Sequence, residues 1–196
     1  MKRDGRVPAD PIGRGAAEAS QRIADLFERE QVSYAIGGAL ALAVAGVPRG
    51  TADVDVNVFI EDEELPRVLT LLETLGMVVD RDASIARARR DGMFIARWDG
   101  MRIDVFLPSI PFSREAERTR TRIHDGTGWS GWFLSPEALT VFKLLFFRGK
   151  DLVDLERLVA VRPDLDRAYV RSAIAAMMGE DDERVRRWDE IVHRFG

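Results

Sequence analysis

Asp53 and Asp55 alternate with valines in the run TADVDVNVF, and they are the first residues whose types and spacing suggest chemistry. Side chains alternate across a β-strand, so the two carboxylates share a face about 6.6 to 6.8 Å apart. That separation suits a pair of divalent cations, which two-metal phosphoryl-transfer sites hold roughly 3.5 to 4 Å apart. Mg²⁺ prefers carboxylate oxygens, water and substrate phosphates to a full protein cage. Asp104, inside MRIDVFL, can add a third carboxylate from another strand. The plain alternative is a solvent-facing edge strand that carries acids to resist aggregation. About 15 residues before the acids stands Gly37-Gly38, between a strand and a helix, where unhindered backbone can approach a triphosphate. Arg49 and Thr51 stand just before Asp53, placed to contact phosphate or to orient a metal site.

The distribution of positive charge singles out one further residue. Apart from Lys2, the only lysines are Lys143 and Lys150, in a chain that otherwise uses arginine. An ammonium differs from a guanidinium in geometry and hydration, so Lys143 is a candidate for a specific task. Its neighbours in LTVFKLLFF are apolar, which also suits a lysine snorkelling from a buried helix. Asp151 and Asp154 follow as an i, i+3 pair on one helix face.

The elements that must position these groups are legible from periodicity. Residues 16–31 read as an amphipathic helix, 32–36 as a short strand, and Gly37-Gly38 opens a two-turn helix ended by Gly46 and Pro48. DVDVNVFI alternates strictly, with Val54, Val56, Val58 and Ile60 on one side and Asp53, Asp55, Asn57 and Phe59 on the other. A helix from Glu61 to Leu75 ends at Gly76, and MVVD makes a short strand. MFIARW and MRIDVFL flank Asp99-Gly100, a strong hairpin signal, and RIHDGTGWSGWFL makes a second hairpin. Ser135-Pro136-Glu137 starts a helix that runs to Arg148, and three more helical patterns follow, with breaks at Arg162-Pro163 and Gly179. The expected domains are a flexible tail over 1–15, an α/β domain over 16–134 and a helical domain over 135–196.

Composition bounds the function. With 196 residues and 46% apolar content the chain folds as a globule. The absence of cysteine excludes disulfides and thiolate metal sites, and it suits a reducing cytoplasm. The apolar stretch from Ala35 to Val47 falls short of the ~20 residues that span a membrane, and MKRDGRVPADPIGRG lacks the hydrophobic block of a signal peptide. The net charge of −4 announces no polyanion partner, yet ten arginines against six acids lie between Arg81 and Arg122. That band is either a footprint for a polyanion or a solvated face. His124 and His193 lack any ligand spacing, and Trp129 and Trp132 read as turn anchors or packing, with stacking on a base as the alternative.

The pattern Gly37-Gly38, Arg49-x-Thr51-x-Asp53-x-Asp55, then Asp104, resembles the nucleotidyltransferase fold of the DNA polymerase β superfamily. The stretch KLLFFRGKDLVDL, from Lys143 to Leu155, resembles the signature of AbiEii-like nucleotidyltransferases, which include the mycobacterial MenT toxins. The resemblance implies an α+β fold, a polymerase-β-like mixed sheet with flanking helices followed by a C-terminal helical bundle. It implies that Asp53, Asp55 and Asp104 hold Mg²⁺, or Mn²⁺ in its place, while Gly37, Gly38, Arg49 and Thr51 surround a nucleoside triphosphate. Lys143 then neutralises phosphate charge, and Asp154 or Asp151 organises the lysine or activates the acceptor hydroxyl. The implied protein is a cytoplasmic, monomeric toxin of a toxin-antitoxin pair. It transfers a nucleotide from CTP or UTP to the 3′ end of tRNA, is restrained by a cognate antitoxin, and has no membrane contact. Transfer to a protein hydroxyl or to a small molecule such as an aminoglycoside, and a non-catalytic antitoxin or nucleotide-binding role, are the alternatives.

Overall fold

A computed structural model describes residues 14–196, so the tail expected over 1–15 lies almost wholly outside the described residues. The alternating valines do what their period requires. Val54, Val56 and Val58 are fully buried along β2 (Asp53–Val58), beneath α1 (Arg14–Arg29), whose Ile23, Leu26 and Phe27 face them in one core. β2 pairs antiparallel with β1 (Tyr34–Ile36) and parallel with β4 (Met101–Phe106), which pairs in turn with β3 (Met93–Trp98). On the other side β1 runs parallel to β6 (Ser130–Phe133), and β5 (Thr121–His124) closes the sheet. The order β3-β4-β2-β1-β6-β5 puts β2 in the interior. The edge-strand explanation of its acids therefore fails, because both of its backbone edges are paired.

Local signals set the boundaries. Asp99 and Gly100 take φ of +48° and +80°, the left-handed pair that a two-residue hairpin turn needs. Ser135 Oγ accepts from the Ala138 amide and caps α6 (Pro136–Phe146). α2 (Gly38–Val44) packs on β2, and α3 (Leu65–Thr74) follows a short 3₁₀ turn. α6 meets α7 (Gly149–Val161) and α8 (Arg167–Met178), and α9 (Glu183–Phe195) packs across α7 and α8. Its Trp188 is buried and donates to the Arg167 carbonyl at 3.2 Å. The result is the expected mixed α+β fold, a six-stranded mixed sheet with flanking helices and a helical C-terminal part. Among the described residues no helix is long and apolar enough to cross a membrane.

One local reading needs correction, and two helices were not expected. MVVD contributes only a single bridge, Val78 to Arg97, because the chain turns at once into α4 (Arg81–Asp91). α4 has no apolar stripe and buries only Ser84 and Ala88, so periodicity is blind to it; its signals are the Asp80 cap and Gly92 at φ +68°. α5 (Phe112–Thr119) is a two-turn helix, not expected from sequence, seated on the i, i+4 pair Phe112 and Ala116.

Candidate active site

The parallel register of β2 and β4 sets Asp55 opposite Asp104 and Asp53 opposite Arg102. Paired positions in adjacent strands present their side chains on the same face, so three carboxylates and one guanidinium stand together. Each acid has a different environment. Thr51 Oγ1 donates to Asp53 Oδ1 at 2.5 Å, and Arg102 Nε donates to Asp104 Oδ1 at 2.6 Å. Among the described residues no hydrogen-bond donor reaches the Asp55 carboxylate. Burial, reinforced by the charges of Asp53 and Asp104, pushes its pKa up to about 6.

Gly37 and Gly38 serve this acid face. The Gly37 amide donates to the Asp55 carbonyl oxygen at 2.8 Å and so carries the edge of β2. Gly38 takes φ +54°, and a Cβ there would lie 1.7 Å from Asp55 Oδ2. Only a residue without a side chain lets the helix start pass that close. Gly38→Ala is therefore expected to displace Asp55, cutting turnover by about 10²-fold and costing about 1 to 2 kcal/mol of stability from the left-handed backbone. Steady-state kinetics and a thermal melt check both.

The rear residues gather as a second group. Lys143 Nζ lies 2.7 Å from Asp154 Oδ2 and 3.4 Å from Asp151 Oδ1, with the three residues 4%, 2% and 1% exposed. Arg148 clamps Asp151 through Nε at 2.6 Å and Nη2 at 3.2 Å, and Arg49 Nε reaches Asp154 at 3.3 Å. Burial drives the Asp151 carboxyl up, but the bond from Arg148 and the adjacent Lys143 outweigh it and leave it below the ordinary carboxylate range. Both rear acids thus hold the lysine, Asp154 the more closely. Arg49 and Thr51, read from sequence as placed to contact phosphate or to orient a metal site, hold Asp154 and Asp53, and Arg49 also lines the cleft that the two groups share.

Both groups open on one cleft of about 370 Å³. Asp53, Asp55, Asp104 and Gly38 line one side of it, Lys143, Arg148 and Lys150 another, and Phe106, Ile110, Phe142 and Phe146 contribute apolar surface. Arg102 and Arg148 escaped the sequence reading as site residues. Arg102 could have been found as the i−2 neighbour of Asp104 on the same strand face, and Arg148 stands inside the motif quoted for the rear acids. Among the described residues no three His, Cys, Asp or Glu form a ready-made metal cage. A hard divalent cation needs none, since Mg²⁺ takes one or two carboxylates and completes its shell with water and phosphate. An uncompensated, partly buried carboxylate between two others fits such an ion.

The arginine band has its own outcome. Seven of its ten members pair with carboxylates: Arg81 with Glu73, Arg87 and Arg90 with Asp91, Arg102 with Asp104, Arg118 with Glu115, Arg120 with Glu117 and Arg122 with Glu28. Arg120 and Arg122 also stack on Trp132 at 4.7 and 5.3 Å, and Trp129 donates to Asp25, so both tryptophans anchor the second hairpin. His124 and His193 are exposed on β5 and α9.

No protein-family model and no curated protein matches the chain. Solved structures do. The crystal structure of ANT(2'')-Ia in complex with adenylyl-2''-tobramycin superposes with a TM-score of 0.59 at 16% identity, covering 84% of this chain and 98% of that one. An antigenic nucleotidyltransferase-like protein from Paracoccidioides brasiliensis gives 0.53 at 16% identity, over 92% and 95% of the two chains. The lincomycin-bound lincosamide antibiotic adenylyltransferase LnuA gives 0.50 at 16% identity, over 78% and 99%. At these identities what is shared is the fold, that of the nucleotidyltransferases.

Proposed function

We propose that this chain is a divalent-cation-dependent nucleotidyltransferase that moves a nucleoside monophosphate from a nucleoside triphosphate to a hydroxyl group of a small molecule. The carrying observation is the acid face: Asp53, Asp55 and Asp104 on adjacent interior strands, with Asp55 lacking any donor among the described residues, open on a cleft whose far wall is cationic. In this reading Asp53 and Asp55 would hold Mg²⁺, with Asp104, held by Arg102, as the third carboxylate of the face. Bound there, the ion supplies charge stabilisation at the phosphorus and lowers the pKa of the attacking hydroxyl. The chain's own groups orient the reactants. The acceptor hydroxyl gives its proton to a carboxylate of the acid face, its oxygen bonds to the α-phosphorus, the bond from that phosphorus to the β-phosphate oxygen breaks, and pyrophosphate leaves.

Two observations support a small acceptor. The cleft is of small-molecule size and has an apolar wall, and the arginine band that would suit a nucleic-acid backbone is largely neutralised by its own carboxylates. Two structures that share the fold, ANT(2'')-Ia in complex with adenylyl-2''-tobramycin and lincomycin-bound LnuA, support the same direction. A toxin that modifies the 3′ end of tRNA is the second reading. It is favoured by the rear cluster of Lys143, Asp151 and Asp154, which assembles from the stretch that resembles the AbiEii-like signature.

Incubating the protein with each of four labelled triphosphates, Mg²⁺, and either a panel of hydroxyl-bearing small molecules, total tRNA or cell protein separates the readings. Label in the small-molecule fraction, absent with Asp55→Asn, is the expected result. Label on tRNA moves the protein to the second reading, and label nowhere above the Asp55→Asn control sinks nucleotidyl transfer itself.

A further inference from the structure

We infer that the polyphosphate tail of the nucleotide is bound by Lys150 together with Arg148 at the mouth of the cleft, and that Lys143 is a positioning residue which does not touch phosphate. The inference rests on the proposed nucleotidyl transfer and assigns its phosphate subsite. Lys143 looks like the phosphate ligand from sequence, but its ammonium is committed. Two carboxylates lie within 3.4 Å of it, each almost without solvent exposure, so both of its close partners are already anions. A third anion brought to that ammonium would meet both of them.

Lys150 is in the opposite situation. It is exposed, it lines the same cleft as Asp55 and Gly38, and among the described residues no carboxylate pairs with it. Arg148 lines that cleft too, so both cations share its space with Asp53, Asp55 and Asp104. Arg148 has a half-exposed side chain, and its clamp on Asp151 uses Nε and Nη2, leaving Nη1 uncommitted. The backbone of the first turn of α7 joins the two, so residues 148 and 150 move as one unit with the helix. The buried Lys143 fixes that unit. By holding Asp151 and Asp154 it locks α7 against α6, and Asp151 in turn orients Arg148. A point charge and a planar fork beside two metal-binding carboxylates match a polyphosphate bridged by divalent cations.

Calorimetric titration of inorganic tripolyphosphate, with Mg²⁺, into the full chain reads this directly, alongside thermal melts. Lys150→Ala is expected to weaken tripolyphosphate binding roughly tenfold or more, with an unchanged melting temperature, and to raise KM for the triphosphate. Lys143→Met/Asp154→Asn, which removes the buried charges as a pair, is expected to keep binding within a few-fold. Binding by Lys150→Ala at the wild-type level, or its loss in a folded Lys143→Met/Asp154→Asn protein, overturns the assignment while leaving nucleotidyl transfer standing. A wild-type protein that binds tripolyphosphate but labels no acceptor refutes the transferase reading and leaves the phosphate subsite in place. A wild-type protein that labels an acceptor but binds no tripolyphosphate overturns the assignment and leaves nucleotidyl transfer standing.

Discussion

Asp55→Asn is expected to lower turnover by about 10³-fold or more while making the metal-free protein more stable at pH 7. The two effects have one cause. A carboxylate raised from 3.8 to about 6 is destabilised in its charged form by burial and by Asp53 and Asp104, and the shift corresponds to roughly 2 to 3 kcal/mol. Between the two pKa values the folded protein binds more protons than the unfolded chain, so stability falls as pH rises through that interval and stays low above it. Asn carries no such charge. A wild-type melt in EDTA should therefore gain stability between pH 7 and pH 5 relative to Asp55→Asn, and at pH 7 the variant should melt about 5 °C higher. Saturating Mg²⁺ should narrow or reverse the gap, because the ion binds only the wild-type carboxylate tightly. A variant less stable than wild type in EDTA at pH 7 would show that Asp55 is not under this repulsion.

The second large effect has the opposite sign. Lys143→Met leaves Asp151 and Asp154 buried with only Arg148 and Arg49 to hold them, and breaking a buried pair in this way costs about 3 to 5 kcal/mol. For a chain of this length that is a fall in melting temperature on the order of 10 °C. Lys143→Met/Asp154→Asn should recover much of the loss, and the difference between single and double variants measures the coupling. Acidification should hurt this region, whereas it relieves Asp55. The Asp151 carboxyl lies below its ordinary range, so its contribution is present above that range and is lost as pH falls through the folded-state value. A Lys143→Met protein that melts like the wild type would remove the lysine from its structural role.

These two residues also show what the chain disclosed before folding. The strict alternation of DVDVNV reported β2, its buried face and the shared side of Asp53 and Asp55, because a two-residue period has one physical solution. The Asp99-Gly100 hairpin and the Ser135 cap were legible for the same reason, each being a local demand of the backbone. What stayed hidden was pairwise and non-local. Nothing in one dimension says that β2 lies inside the sheet, that Arg102 faces Asp53 across a parallel register, or that Lys143 spends its charge on α7. α4 was missed because a helix that buries Ser84 and Ala88 leaves no apolar period to read. The arginine band is dense in the sequence, but its partners, from Glu28 to Glu117, come beside it only in the fold.

The placement of the tryptophans has an optical consequence. Trp188 is sealed among the C-terminal helices, while Trp132 lies beneath two guanidinium groups at the far side of the sheet. With the other three indoles replaced by Phe, each of these two reports the fluorescence of one half of the molecule alone. Melting curves from the two single-tryptophan proteins then reveal whether the ion network between β2, α6 and α7 welds the halves into one cooperative unit. If they do not coincide, the distance between their midpoints measures how much of that joint the buried charges supply.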